Sequence, residues 1–280
     1  MSIKFSWRLK LLVKIVLDVI PIPYTFFQNF NVFKHGFMKD PEYCLKAFET
    51  FIGTKSNLKE KQIVEIGPGD SINTAIIASA LGAKRTYLID KGSFAVKKMS
   101  TYHDMYKLLI KLGLHTKEIF FTNFEEMLEN VNAEYLTQGI ADMSKIENNS
   151  IDLIFSNAVL EHIDRNEISQ LMFETHRVLK LGCTAQHRVD LRDHINDEFQ
   201  HLRFSNMLWN SKIMRKGGTN LNRMNVSEYI QLAEAAGFTC KIVANGTFIP
   251  NTRMKIHHSL NNWIQSKGSY PGFDLHCIKM

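Results

Sequence analysis

The residues able to do chemistry gather at a few places in the chain. Val64-Glu65-Ile66-Gly67-Pro68-Gly69-Asp70-Ser71 leaves an apolar run and enters a helical one. Glycines at such a turn let the backbone come close to a bound ligand. A dinucleotide-binding fingerprint would carry a third glycine where Ile72 stands, so a pyrophosphate cofactor is disfavoured. The run Tyr87-Leu88-Ile89-Asp90 ends in a carboxylate suited to accept from both hydroxyls of a ribose. Further on, His187, Asp190 and His194 place three titratable groups on one short stretch. They are candidates to take a proton from an acceptor, since imidazole titrates near pH ~6.5 and Asp190 could orient it or replace it. Arg223 follows Gly217-Gly218 and is a candidate grip for phosphate or carboxylate. His257-His258 has no carboxylate or cysteine at ligand spacing, and no metal site is expected.

These groups need a frame to hold them. From Gln62 onward short apolar runs alternate with helical patterns, which predicts a mostly parallel sheet with crossover helices on both faces. Strands are expected at 62–66, 85–89, 136–140, 151–155, 183–189, 239–243 and 274–278, and helices at 72–81, 94–112, 165–179 and 226–236. Residues 113–134 are an insertion. Residues 190–225 form a polar, aromatic-rich excursion beyond the fifth strand, where open α/β sheets build ligand pockets. Within it Phe204, Met207 and Trp209 are expected in the core. Ahead of the sheet, residues 1–58 are expected to form a helical cap. Its first helix, 5–20, carries Phe5, Leu9, Leu12, Val16 and Val19 on one face, and its second spans 41–51.

A chain of 280 residues with 45% hydrophobic content buries a sizeable core. The net charge of +6 invites anionic partners, yet no zinc-finger spacing or RNA-binding aromatic signature accompanies it, so nucleic acid is a minor expectation. Cys44, Cys183, Cys240 and Cys277 form no C-x-x-C pair and read as buried, reduced thiols, which points to the cytoplasm. Lys14, Asp18, Pro21 and Pro23 interrupt the N-terminal apolar run, short of the ~20 clean residues that span a bilayer. That basic helix is expected to close over the site or to lie on the inner face of a membrane.

Two further stretches complete a set. Gly139-Ile140-Ala141-Asp142-Met143 stands at the expected third strand, and Ile151-Asp152-Leu153-Ile154-Phe155-Ser156-Asn157-Ala158-Val159-Leu160-Glu161-His162 at the fourth. With Arg177-Val178-Leu179-Lys180-Leu181-Gly182 and Ala233-Glu234-Ala235-Ala236-Gly237-Phe238, the chain resembles class I S-adenosylmethionine-dependent methyltransferases of the methyltransferase-11 branch. It departs from their pattern at Leu181 and Cys183. The resemblance implies a seven-stranded Rossmann-like domain over 59–280 with 190–225 as its substrate-pocket insertion. It also implies that Glu65, Gly67 and Gly69 line the methionine end of S-adenosylmethionine. Asp90 would hold the ribose, Asp142 would face the adenine with Met143 beside it, and Asn157 would lie near the sulfonium. Pro68, Lys91 and Ala141 would sit next to them. His162 belongs to the same motif as a helix cap or a substrate contact.

The glycine turn and the stretch 187–194 further resemble enzymes of bacterial surface-polysaccharide clusters, which would make the acceptor a sugar hydroxyl. The rival readings are a nucleotide-dependent oxidoreductase on the same fold, which Ile72 opposes, and a cofactor-binding scaffold protein without catalysis.

Overall fold

The computed structural model describes residues 6–19, 37–53, 57–114, 120–193, 199–216, 221–245, 255–260, 263 and 271–280. His194 and Gly217-Gly218 lie outside them. Short runs rich in Ile, Val and Leu form the strands β1 (Gln62–Ile66), β2 (Arg85–Ile89), β3 (Ala133–Leu136), β4 (Ile151–Asn157), β5 (Leu179–Asp190), β6 (Phe238–Asn245) and β7 (Gly272–Lys279). They make one seven-stranded sheet in the order β3-β2-β1-β4-β5-β7-β6. The first five pair in parallel, and β7 runs antiparallel between β5 and β6. This is the Rossmann-like, mostly parallel α/β architecture. Order reverses at β1 and β4, so the crevice for a ligand opens beyond their carboxyl ends.

The helices are α1 (Trp7–Val19), α2 (Pro41–Ile52), α3 (Asn73–Ala80), α4 (Met99–Lys111), α5 (Phe124–Asn130), α6 (Arg165–Val178), α7 (Asn206–Trp209), α8 (Lys212–Lys216) and α9 (Val226–Ala235). Their ends follow local chemistry. Asp40 caps α2 by accepting from the Tyr43 amide, with Pro41 in the first turn, and Asn225 with Glu228 forms a capping box on α9. Two apolar clusters cover the two sheet faces, one under α6 and α9 and one under α2, α3 and α4. In the second, Phe48 meets the ring of Phe155 edge-on and Phe51 stacks on it, which fastens α2 to β4.

Three expectations change. The third strand lies at 133–136 where 136–140 was expected, and from Gly139 to Lys145 the chain forms a 3₁₀ helix. Its apolar residues mimic a strand, but Gly139 takes a φ of 64° and turns the chain out of the sheet. The fourth helix begins at Met99, not at 94, because Phe94 and Ala95 give their amides to the Tyr135 hydroxyl. In α1, Leu11 is buried with Trp7 and Ile15 beside it, against Trp209, Met214 and Leu221, while Leu9, Leu12 and Val16 face outward. The helix is apolar on two sides, and the aromatic hollow takes the side carrying Trp7. Phe5 and, for its side chain, Val19 lie outside the described residues. All four cysteines are free thiols; Cys44 and Cys277 are buried, Cys183 and Cys240 half-buried.

Candidate active site

β1 ends in Ile66 and hands the chain to Gly67 and Gly69, both left-handed at φ 71° and 73°. The two glycines answer to different neighbours. A Cβ on Gly67 would lie 2.5 Å from Cγ2 of Val159, so the turn is wedged against the segment after β4. A Cβ on Gly69 would meet nothing within 4 Å, so open room lies over that residue. Asp90 faces this room from the end of β2. Its Oδ2 accepts from the Gly69 amide at 3.2 Å and its Oδ1 from the Lys91 amide at 2.8 Å. Behind the turn Glu65 is buried with Oε2 lacking a partner, and Asp70 is buried with Oδ1 likewise unpaired. Burial drives the Glu65 carboxyl up to about 8, Asp90 adding to the effect and the Thr74 hydroxyl opposing it. An acid held this high takes its charge when a cation arrives beside it.

The 3₁₀ helix 139–145 closes the next side. Asp142 is buried and accepts from the Gln138 amide and from Lys145 Nζ, each at 2.7 Å. Met143 is fully buried, whereas Ala141 and Lys91 are exposed and Pro68 is buried. Arg177 pins this helix from below, donating to the carbonyls of Met143 at 2.7 Å and Ile146 at 2.9 Å while pairing with Glu174. The structure thus brings Glu65, Gly67, Gly69, Asp90 and Asp142 to one edge of the sheet. Asn157 ends β4 next to them, and Ala158 follows it at φ 54°, strained for a residue with a side chain.

The candidate groups on β5 separate. His187 and Asp190 point to opposite faces of the strand, as three residues' spacing dictates. The His187 ring is enclosed, with Nδ1 2.8 Å from Ser156 Oγ and Nε2 unpartnered, and burial with the charge of His276 brings it down to about 4. It is a neutral imidazole at neutral pH. Asp190 pairs with Arg192 at 2.7 Å, and its backbone amide donates to Glu161 Oε1 at 3.2 Å. His162 is half-buried in the turn Leu160–His162.

One residue of this cluster escapes a reading by motif. Glu161 is buried, its Oε2 has no partner, and burial together with the charge of Asp190 lifts it to about 8. It lines a cavity of about 10 Å³, near the room a single water needs, together with Leu191, His201, Asn222, Arg223 and Trp263. Arg223 is buried at φ 59°. It donates from Nη2 to the Phe204 carbonyl at 3.0 Å and leaves Nε without an acceptor. Burial and the neighbouring Arg165 lower it to about 10. Asn222 ties this excursion to the turn after β4, its amide donating to the carbonyls of Leu160 at 2.7 Å and Ile163 at 3.0 Å. The only hint in the sequence was that Glu161 stands inside the S-N-A-V-L-E-H run. Of the three aromatic-segment residues expected in the core, Trp209 is buried and Phe204 half-buried, but Met207 is 86% exposed. Among the described residues no cluster of three or more His, Cys, Asp or Glu side chains is placed to hold a metal ion.

A family model described as a methyltransferase domain matches residues 64–185. No curated protein matches the chain by sequence. Among solved structures, phosphoethanolamine N-methyltransferase 2 of Haemonchus contortus is 16% identical with a TM-score of 0.43, over 72% of this chain and 38% of that one. The chain therefore spans little more than a third of that enzyme's length. Geranyl diphosphate C-methyltransferase of Streptomyces coelicolor is 12% identical at a TM-score of 0.47, covering 85% of this chain and 78% of that one. An S-adenosylmethionine-dependent methyltransferase of Aquifex aeolicus is 16% identical at 0.40, covering 87% and 92%.

Proposed function

We propose that this chain, whose residues 64–185 match a methyltransferase-domain family model, is a class I S-adenosylmethionine-dependent methyltransferase that methylates a hydroxyl oxygen of a small molecule or sugar. The chemistry of the site fits the cofactor. The room over Gly69 suits a ligand lying against the backbone, Asp90 stands beside it to accept from ribose hydroxyls, and the unpaired buried Glu65 suits an α-amino cation. Asp142 and Met143 would hold the base, and Asn157 would lie beside the methionine end. When bound, S-adenosylmethionine supplies a methyl group activated by its sulfonium.

One observation carries the choice of a hydroxyl. Glu161 Oε2, which lacks a donor, and Arg223 Nε, which lacks an acceptor, belong to residues lining the same water-sized cavity. A hydroxyl offers one hydrogen and a lone pair, so it satisfies both; a charged amine satisfies only the carboxylate. In this reading Glu161 takes the hydroxyl proton, and Arg223 holds the oxygen or an anionic group next to it. Asp190 fixes the Glu161 carboxyl through its amide, and a carboxyl titrating near 8 is well matched to proton transfer around neutral pH. His187 would support β4 through Ser156, and His162 would contact the acceptor. Placement on a sugar of a surface polysaccharide is the narrower form of the proposal.

The test is calorimetry with S-adenosylhomocysteine followed by methyl incorporation from labelled S-adenosylmethionine into hydroxylated acceptors. Tight binding, with turnover that rises with pH through about 8, is the expected result. Preference for NAD, or turnover on amines alone, would sink the reading.

A further inference from the structure

α1 has more apolar surface than the fold uses. Trp7, Leu11 and Ile15, spaced by four, form the stripe that packs on Trp209, Met214 and Leu221. A second stripe, Leu9, Leu12, Val13 and Val16, follows the i, i+3, i+4, i+7 spacing of a buried face, yet these side chains are 43%, 57%, 47% and 50% exposed. Next to α1, where it packs on α8, the excursion adds Met207 at 86%, Leu208 at 49% and Ile213 at 64%. Single exposed aliphatics are ordinary; seven on elements that touch one another are a concentration that calls for a partner.

Charge identifies that partner. Arg8 and Lys10 flank the stripe, Lys212 opens α8, and Arg203 lies over the Trp7 ring at 5.6 Å. The first twenty residues carry four basic side chains and one acid. A helix with an aliphatic face and basic flanks lies in the plane of a lipid surface, its apolar side among the acyl chains and its cations at the phosphates. Pairing with a second copy across a two-fold axis would bring the basic flanks face to face, which the charge disfavours. Among the described residues no helix is long and apolar enough to cross a membrane.

We infer that α1, with α7 and α8, docks this protein on an anionic phospholipid surface. The surface adjoins the acceptor cavity, because Arg223 donates to the carbonyls of Phe204 and Ser205, the residues leading into α7. The inference does not rest on the methyl-transfer reading.

Co-sedimentation with vesicles tests it. The full chain should pellet with vesicles of phosphatidylcholine mixed with phosphatidylglycerol, stay in solution with phosphatidylcholine alone, and be released by salt. Leu12→Glu with Val16→Glu should cut binding by roughly tenfold or more, since two aliphatic groups no longer reach the acyl layer. Affinity for S-adenosylhomocysteine and the melting temperature should stay unchanged, which separates lost docking from lost folding. Arg8→Glu with Lys212→Glu should remove the preference for the anionic lipid. Equal pelleting of the Leu12/Val16 variant, no pelleting of the wild type, or a wild-type dimer in the ultracentrifuge that this variant disperses would each overturn the inference.

Discussion

The two halves of the proposed site are built in opposite ways. On the cofactor side each group comes from the end of a strand and the turn that follows it, and its bonds are short in sequence or run between neighbouring strands: Asp142 to Gln138, Asp90 to Gly69. On the acceptor side Glu161 from the turn after β4 meets Asp190 from β5 and Asn222-Arg223 from a distant excursion, joined by bonds such as Asn222 to Leu160. A local turn holds its geometry through backbone dihedrals. An assembled cavity holds it only while the long-range contacts are closed. The first design suits a ligand that never varies, and the second lets the acceptor change without disturbing the fold.

The largest expected effect lies on the acceptor side. Glu161→Gln keeps the shape of the side chain but removes the proton acceptor, so kcat should fall by ~10² to 10⁴. Calorimetric affinity for S-adenosylhomocysteine should not move. A parallel loss of affinity would show that the halves are coupled and break the comparison. Next, Asp90→Ala should weaken S-adenosylhomocysteine by ~2 to 4 kcal/mol, because two ribose hydroxyls lose a shared charged acceptor.

The glycines sharpen the contrast within the cofactor half. Gly67→Ala adds a clash with Val159 to an unfavourable φ and should cost about 1 to 3 kcal/mol in a denaturant titration. The double variant Gly67→Ala with Val159→Ala should relieve the steric part. Gly69→Ala meets only the φ penalty, so it should unfold less easily than Gly67→Ala while losing cofactor affinity, as its methyl enters the open room.

The smallest effect is in pH. Glu65 and Glu161 both rise from 4.5 to about 8 on folding. The folded protein therefore holds their protons more tightly than the unfolded chain. Their contribution to stability is complete below pH 4.5 and is lost as pH rises through about 8. The melting temperature should decline across that window, and Glu65→Gln and Glu161→Gln should each flatten the decline. Binding of S-adenosylhomocysteine should release a proton in wild type and in Glu161→Gln but not in Glu65→Gln, as comparison of calorimetric heats in two buffers would show.

How much of this was legible follows from where the information lies. Strand positions and the parallel architecture could be read from apolar runs, since burial on both faces demands them. The turn at Gly67 and Gly69 and the carboxylate of Asp90 could be read as well, because a few contiguous residues specify each. The third strand was misplaced, since Ile140 and Met143 are apolar for reasons of packing while Gly139 bends the chain away. Which stripe of α1 packs was undecidable from its period, as both stripes are apolar and only the Trp209 hollow discriminates between them. The sequence by itself determined the class of fold and the glycine turn and carboxylate at the ends of β1 and β2. Tertiary structure alone decided that Glu161 and Arg223, sixty-two residues apart in the chain, line one cavity, and that Asp190 turns to Arg192 and Glu161 instead of His187. The physical reason is that a buried polar atom's missing partner is a property of everything packed around it, and no local pattern of residues records what fails to arrive there.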